Sequence, residues 1–207
     1  PNTRAGSRRN IARHYDLGND FYRLWLDQGM TYSSALFGAQ EKGLMEAQDA
    51  KYRRLAETLD LAPNMHVLEI GCGWGGFAEF LARDYGCRVT AITVSEAQCE
   101  YARTRISRAG IGDAVDIRLV DYRDIDGSYD RIASIEMLEA VGGRNWPRFF
   151  DCLDRRLAPG GVAALQVINI EDPRFEHYRR SADFIQTYIF PGGMLPSQTA
   201  LRQAIED

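Results

Sequence analysis

Val67-Leu68-Glu69-Ile70-Gly71-Cys72-Gly73-Trp74-Gly75-Gly76 is an apolar run that ends in four glycines within six residues, and a helical pattern opens directly behind it. Glycine has no Cβ, so the backbone can take φ > 0 and lie close to a bound ligand, while the following helix offers its free N–H groups. Dinucleotide-binding folds use G-x-G-x-x-G in the same strand-to-helix context. Here the spelling is E-x-G-x-G, with Glu69 inside the turn. A carboxylate at that place opposes a pyrophosphate carried on a helix N-terminus. The turn favours a cationic, phosphate-free ligand such as S-adenosylmethionine.

Downstream of this turn the sequence keeps alternating. Strand-like apolar runs at 65–70, 88–94, 114–119, 131–135 and 162–170 are interleaved with helical patterns at 76–85, 96–109 and 146–157. That rhythm predicts an α/β, Rossmann-like, doubly wound and mostly parallel sheet over residues 63–170. Upstream, residues 10–62 read as a helical cap (1–62 with the terminus). Phe21, Leu24 and Trp25 stand at helical spacing before a break at Gly29, and a second helix runs over 44–59. Ligands in such sheets bind beyond the carboxyl ends of the strands, so Gly71–Gly75, Thr93–Gln98, Asp121–Tyr122 and Glu136–Gly142 are expected to converge. Residues 171–207 close the chain. Tyr178, Phe184, Ile185, Tyr188, Ile189, Phe190 and Met194 break the strand–helix rhythm there. They read either as a substrate-side cover lined by apolar groups or as a cap on the core.

Composition sets the outer bounds. A chain of 207 residues with 45% hydrophobic content fits one domain with a full core, and a net charge of −4 gives no global field for nucleic acid. Arg4, Arg8, Arg9 and Arg13 form a local exception without an acid among them. This arm suits anionic lipid headgroups, or is a solvated terminus. Cys72, Cys87, Cys99 and Cys152 show no C-x-x-C spacing and His14, His66 and His177 stand alone, so neither a disulfide framework nor a metal site is indicated. With no apolar run of membrane-spanning length and no signal peptide, the expectation is a cytoplasmic protein, at most peripheral to the inner face of the membrane.

Several motifs occur in a specific order: His14-Tyr15-Asp16-Leu17-Gly18-Asn19-Asp20, Tyr32-Ser33-Ser34, Glu69–Gly76, Asp121-Tyr122-Arg123-Asp124, Met137-Leu138-Glu139-Ala140-Val141-Gly142 and Tyr188-Ile189-Phe190-Pro191-Gly192-Gly193. From His14 onward the chain resembles the cyclopropane-fatty-acyl-phospholipid synthase family, class I S-adenosylmethionine-dependent methyltransferases. The resemblance implies S-adenosylmethionine as methyl donor and, as acceptor, the cis double bond of an unsaturated phospholipid acyl chain at the membrane surface, with cyclopropane fatty acid as product. A homodimer stays open. Bacterial lipid synthases of this type carry an N-terminal domain that this chain lacks, and the antiparallel hairpin that normally completes such sheets after the fifth strand is expected to be missing.

An isolated alkene is a weak nucleophile, so the donor must be held at close range and the developing carbocation shielded from water. Aromatic faces suit that task, and Tyr15, Phe21, Trp25, Tyr32, Phe37, Trp74 and Tyr188 are candidates, although the helical spacing of Phe21 and Trp25 points to core packing. By resemblance, Tyr32 and Ser33 contact the donor, Gly71, Cys72 and Gly73 approach its amino-acid portion, and Glu69 orients the turn or balances the ligand's charge. Thr93, Val94 and Gln98 follow the second strand, where hydroxyl and amide groups serve the ribose. Asp121 is placed to accept from the adenine amino group with Tyr122 beside the ring; its alternative is a turn cap. Tyr15, Ile168 and Tyr188 fall on the acceptor side.

Glu139 is the leading catalytic candidate, with a helix cap as its alternative. The family removes the proton left after methyl transfer with a bound bicarbonate held near this glutamate. Ser34 stands where these synthases usually have cysteine and Gln166 where they usually have histidine, both at the bicarbonate site. Serine and glutamine still donate hydrogen bonds, but histidine's titratable nitrogen is gone. Bicarbonate binding is therefore left open. So are a branching enzyme that makes methyl or methylene fatty acids, a catalytically inactive lipid-binding relative, and a small-molecule methyltransferase on the same fold.

Overall fold

The computed structural model describes Gly6, residues 18–39 and residues 43–206. Tyr15, most of the motif that contains it and the basic residues Arg4, Arg8, Arg9 and Arg13 lie outside the described residues.

The element order is α1 (Asn19–Arg23), α2 (Leu44–Thr58), β1 (His66–Ile70), α3 (Gly76–Tyr85), β2 (Arg88–Thr93), α4 (Glu96–Arg108), β3 (Val115–Leu119), β4 (Tyr129–Ile135), α5 (Leu138–Val141), α6 (Trp146–Arg156), β5 (Leu157–Gln166), α7 (Asp172–Tyr178) and α8 (Gln198–Glu206). The five strands form one sheet in the order β3-β2-β1-β4-β5, with every pairing parallel. This is the predicted doubly wound sheet. Its order reverses beside β1, which pairs β2 on one side and β4 on the other, and so opens the crevice above Gly71.

β1 is buried from Val67 to Ile70 because both of its faces are covered, and it carries Glu69 among its apolar residues. Val67 packs into one layer with Leu55, Leu59, Phe77, Leu81 and Ile106; its neighbour Leu68 turns to the other, with Ile132, Phe149 and Leu153. Ser95 caps α4 by accepting from the Gln98 N–H at 3.3 Å, which fixes the turn after β2.

Two expectations need correction. Within residues 18–39 and 43–62 the N-terminal cap is helical at Asn19–Arg23 and Leu44–Thr58, in two pieces and not throughout. Phe21, Leu24 and Trp25 are 42%, 82% and 46% exposed, and the buried aromatic of this segment is Tyr22. Helical spacing loses its meaning past Arg23, where Asp27 folds the chain by accepting from the Gly29 and Thr31 N–H groups at 2.8 Å each. The last strand runs over Leu157–Gln166 and not 162–170. Beyond Gln166 the chain leaves the ladder, and Ile170 forms an isolated bridge to Ser197.

Candidate active site

A cavity of about 640 Å³ opens at the carboxyl ends of the strands. Glu69, Gly71, Cys72, Gly73, Thr93, Val94, Gln98, Asp121, Tyr122, Tyr32, Ser33, Ser34, Glu139 and Ile168 all line it. The four loops expected to converge do so.

One end of the cavity is built around β1. Gly71 has φ 84, and its N–H and that of Cys72 both donate to the Ile92 carbonyl at 2.9 Å. A Cβ on Gly71 would lie 2.9 Å from Cγ of Met137, so this glycine makes room for a protein side chain, and its backbone also lines the cavity. Gly73, with φ 53, is the glycine whose Cβ would enter open space. Beneath them Glu69 is buried, and its Oε2 has no hydrogen-bond partner. Burial pushes its carboxyl up to about 8, opposed chiefly by the charge of Lys51. Lys51 is itself held down at about 8 by burial, and its Nζ donates to Oγ of Ser33 at 2.6 Å.

Further along the sheet, the Thr93 hydroxyl donates to Oε1 of Gln98 at 3.0 Å. The two expected ribose contacts thus orient each other. Asp121 caps the short turn at Tyr122–Asp124, as its alternative reading held, and takes two bonds from the Arg123 guanidinium, Nε to Oδ1 at 2.8 Å and Nη2 to Oδ2 at 2.5 Å. Tyr122 packs edge-on against Phe149 with centroids 5.2 Å apart. On the near wall Trp25, Tyr32 and Trp74 cluster around Tyr22, and the Trp74 indole N–H donates to Oδ1 of Asn19 at 2.7 Å. Trp25, a wall candidate whose helical spacing pointed to core packing, lines the cavity.

The opposite end carries two carboxylates. Oε1 of Glu139 accepts from the Ile168 N–H, and its Oε2 is buried without a partner. Burial raises this carboxyl to about 7; the charge of Glu136 adds to the rise. Glu136 itself was not singled out from the sequence. It occupies a left-handed conformation, φ 48, unusual for a residue with a side chain. Its Oε1 accepts from the Ser34 N–H at 2.9 Å and from Gln166 Nε2 at 2.9 Å. The signal was a second acid, three residues before Glu139, on the first turn after β4.

Toward the C-terminal segment, Ile168, Ile185, Phe190 and Met194 present apolar surface to the cavity. Tyr188 does not reach it. It is 71% exposed and packs at a tilt against Phe184, with ring centroids 5.2 Å apart, because the wide turn Ile185–Ile189 directs Ile185 and Gln186 inward instead. Phe21 and Phe37 are also outside the cavity lining.

The family model described as mycolic acid cyclopropane synthetase matches residues 2–207. The chain is 45% identical over 206 residues to a tuberculostearic acid methyltransferase of Mycobacterium tuberculosis, covering 96% of this chain and 48% of that protein. It is 40% identical over 193 residues to the cyclopropane-fatty-acyl-phospholipid synthase of Escherichia coli K12, covering 93% of this chain and 48% of that protein. The chain therefore spans about half the length of these curated relatives. The solved structure of a mycolic acid cyclopropane synthase, CmaA1, complexed with SAH and CTAB, superposes with a TM-score of 0.88 at 33% identity, covering 95% of this chain and 72% of that one. The chain belongs to the mycolic acid cyclopropane synthetase family.

Proposed function

We propose, from this membership and from the cavity, that the protein is an S-adenosylmethionine-dependent methyltransferase acting on the double bond of unsaturated acyl chains in phospholipids. The observation that carries the reading is the continuity of the cavity. One space joins a donor-like end, where Glu69 waits with an unpartnered buried oxygen beside the open position at Gly73, to an apolar end lined by Ile168, Ile185, Phe190 and Met194. Its volume of about 640 Å³ suits a nucleoside-sized donor together with part of a lipid chain.

The residues present fit that donor. Glu69 is suited to its ammonium group, the Thr93–Gln98 pair to its ribose, and the Tyr32 and Trp25 rings to its sulfonium, while backbone at Gly73 leaves room for its amino-acid portion. The donor supplies an activated methyl group. The protein's part is to hold the alkene against it, exclude water with aromatic and aliphatic walls, and remove the proton that the product must lose.

Ring closure is the first reading of the product. Branching is the second. It is favoured by the 45% identity to a tuberculostearic acid methyltransferase and by Ser34 and Gln166, which replace the residue types expected of a ring-forming site. Vesicles of unsaturated phospholipid incubated with the full-length protein and S-adenosylmethionine test the proposal. The acyl chains should gain the mass of one methylene, with one S-adenosylhomocysteine released per modified chain. Release of S-adenosylhomocysteine only with a small polar acceptor would overturn it.

A further inference from the structure

The anion site that the family resemblance assigns to bicarbonate contains a carboxylate of the chain itself. Ser34 and Gln166 stand at the two positions associated with that anion, and both turn a donor onto the same atom: the Ser34 N–H and Gln166 Nε2 each lie 2.9 Å from Oε1 of Glu136. Gln166 binds this residue twice, because its carbonyl also accepts from the Glu136 N–H at 2.8 Å. The third group of the site, Glu139, is held by the Ile168 N–H.

Bicarbonate does not fit this arrangement. The Ser34 N–H is taken by Glu136 and Gln166 Nε2 by Glu136 and the Ser34 carbonyl, and a further anion would stand among two carboxylates in a partly desolvated space, where like charges disfavour one another. The backbone points the same way. Glu136 sits at φ 48, a conformation that side-chain-bearing residues adopt at a cost and keep where the surroundings enforce it. Two hydrogen bonds to its carboxylate and one to its N–H enforce it here.

We propose that Glu136 is the catalytic base of this protein and replaces the external anion. Resting on the methyl-transfer reading above, the step balances as follows. The alkene π pair forms a bond to the donor's methyl carbon as the methyl–sulfur bond breaks, its electrons remaining on sulfur. The carbocation so formed loses a proton to the Glu136 carboxylate, the C–H pair closes the ring or a new double bond, and Glu136 is left as the neutral acid. Glu136 lines the cavity beside Ile135, Met137 and Glu139, within the space an acceptor would occupy. The Ser34 and Gln166 donors aim it.

The test compares full-length wild type with Glu136→Gly and Glu136→Gln. Glycine accepts φ 48 without strain, so the first variant removes the carboxylate and relieves the backbone. S-adenosylhomocysteine binding by calorimetry should be unchanged in both, which shows that they fold. In bicarbonate-stripped buffer the wild type should methylate unsaturated phospholipid at full rate, and added bicarbonate should not raise it. Both variants should lose on the order of a hundredfold in turnover, and bicarbonate or formate should restore part of it in Glu136→Gly alone. Carbon-13 bicarbonate should show line broadening with Glu136→Gly and none with wild type. A bicarbonate requirement in the wild type, broadening by the wild type, or full turnover in either variant overturns the assignment. If the wild type methylates no lipid at all, the methyl-transfer reading fails. The broadening comparison then decides by itself whether Glu136 fills the anion site.

Discussion

The Ile168 N–H donates to Oε1 of Glu139 at 2.5 Å, while the second oxygen of the same carboxylate is buried with no hydrogen-bond partner. Half-satisfied in this way, Glu139 is pushed up to about 7 by burial, from an ordinary value of 4.5. The charged form is disfavoured in the folded state, so the native protein retains a proton that the unfolded chain gives up. Stability is unaffected by this group below about 4.5 and declines as pH rises from there to about 7. Glu139→Gln should therefore be close to wild type in urea unfolding near the bottom of that range and more stable than wild type by roughly 1–3 kcal/mol at alkaline pH. A difference that does not change with pH would contradict this.

Glu69 follows the same sign but meets a ligand. Its buried carboxyl, raised to about 8, is substantially protonated at neutral pH, and a cationic amino group seated against it would restore the charged form. Calorimetric titration with S-adenosylmethionine at neutral pH should release a fraction of a proton, seen as a binding enthalpy that varies with the ionisation enthalpy of the buffer. Glu69→Gln should abolish that dependence and weaken binding roughly tenfold to a hundredfold. A buffer-independent enthalpy in the wild type would remove Glu69 from the donor site.

Gly71 and Gly73 should separate under substitution. Gly71→Ala places a Cβ 2.9 Å from Met137 at a φ of 84, and should cost the fold about 1–3 kcal/mol. Gly73→Ala meets open cavity but still puts a side chain at φ 53, so it should cost less stability than Gly71→Ala, whose added Cβ also meets Met137, and should weaken donor affinity. Thermal unfolding and calorimetry on both variants check this; equal stability losses would refute the distinction.

The Asp121–Arg123 pair predicts a ligand-independent effect. Both side chains are largely buried, 15% and 8% exposed, and Asp121→Ala strips the guanidinium of its carboxylate and the turn of its cap. Unfolding of the donor-free protein should shift by about 1–3 kcal/mol. If only donor affinity moved, Asp121 would be a ligand contact and nothing more.

Most of the scaffold was legible because its signals are local. The run Val67–Ile70 reads as a strand because it is short and stops at a glycine turn, and α3 and α4 begin at Gly76 and Glu96, where the helical patterns start in the sequence. The glycine turn was read from its position after a strand, and Asp121 and Glu139 from the family's motifs, and all three line the cavity. What escaped detection depends on geometry across elements. Tyr188 was placed by its motif, yet one wide turn carries it away from the cavity. For Trp25 core packing was favoured over the cavity wall by a helical spacing that stops at Arg23. Glu136 stayed hidden because its meaning lies in donors 102 and 30 residues away, Ser34 and Gln166, which no local pattern connects.

The most direct test of methyl transfer with proton loss at the double bond uses a donor whose methyl group carries three deuterium atoms. Full-length protein is incubated with this donor and unsaturated phospholipid, and the acyl chains are analysed by mass spectrometry and NMR. The account predicts a modified chain that keeps two of the three deuterium atoms and shows no vinylic resonance, the signature of a ring whose bridging carbon has given up one deuteron. Retention of all three would contradict ring closure and assign the enzyme to the branching reaction, and a chain that carries no label would contradict the lipid methyltransferase account as a whole.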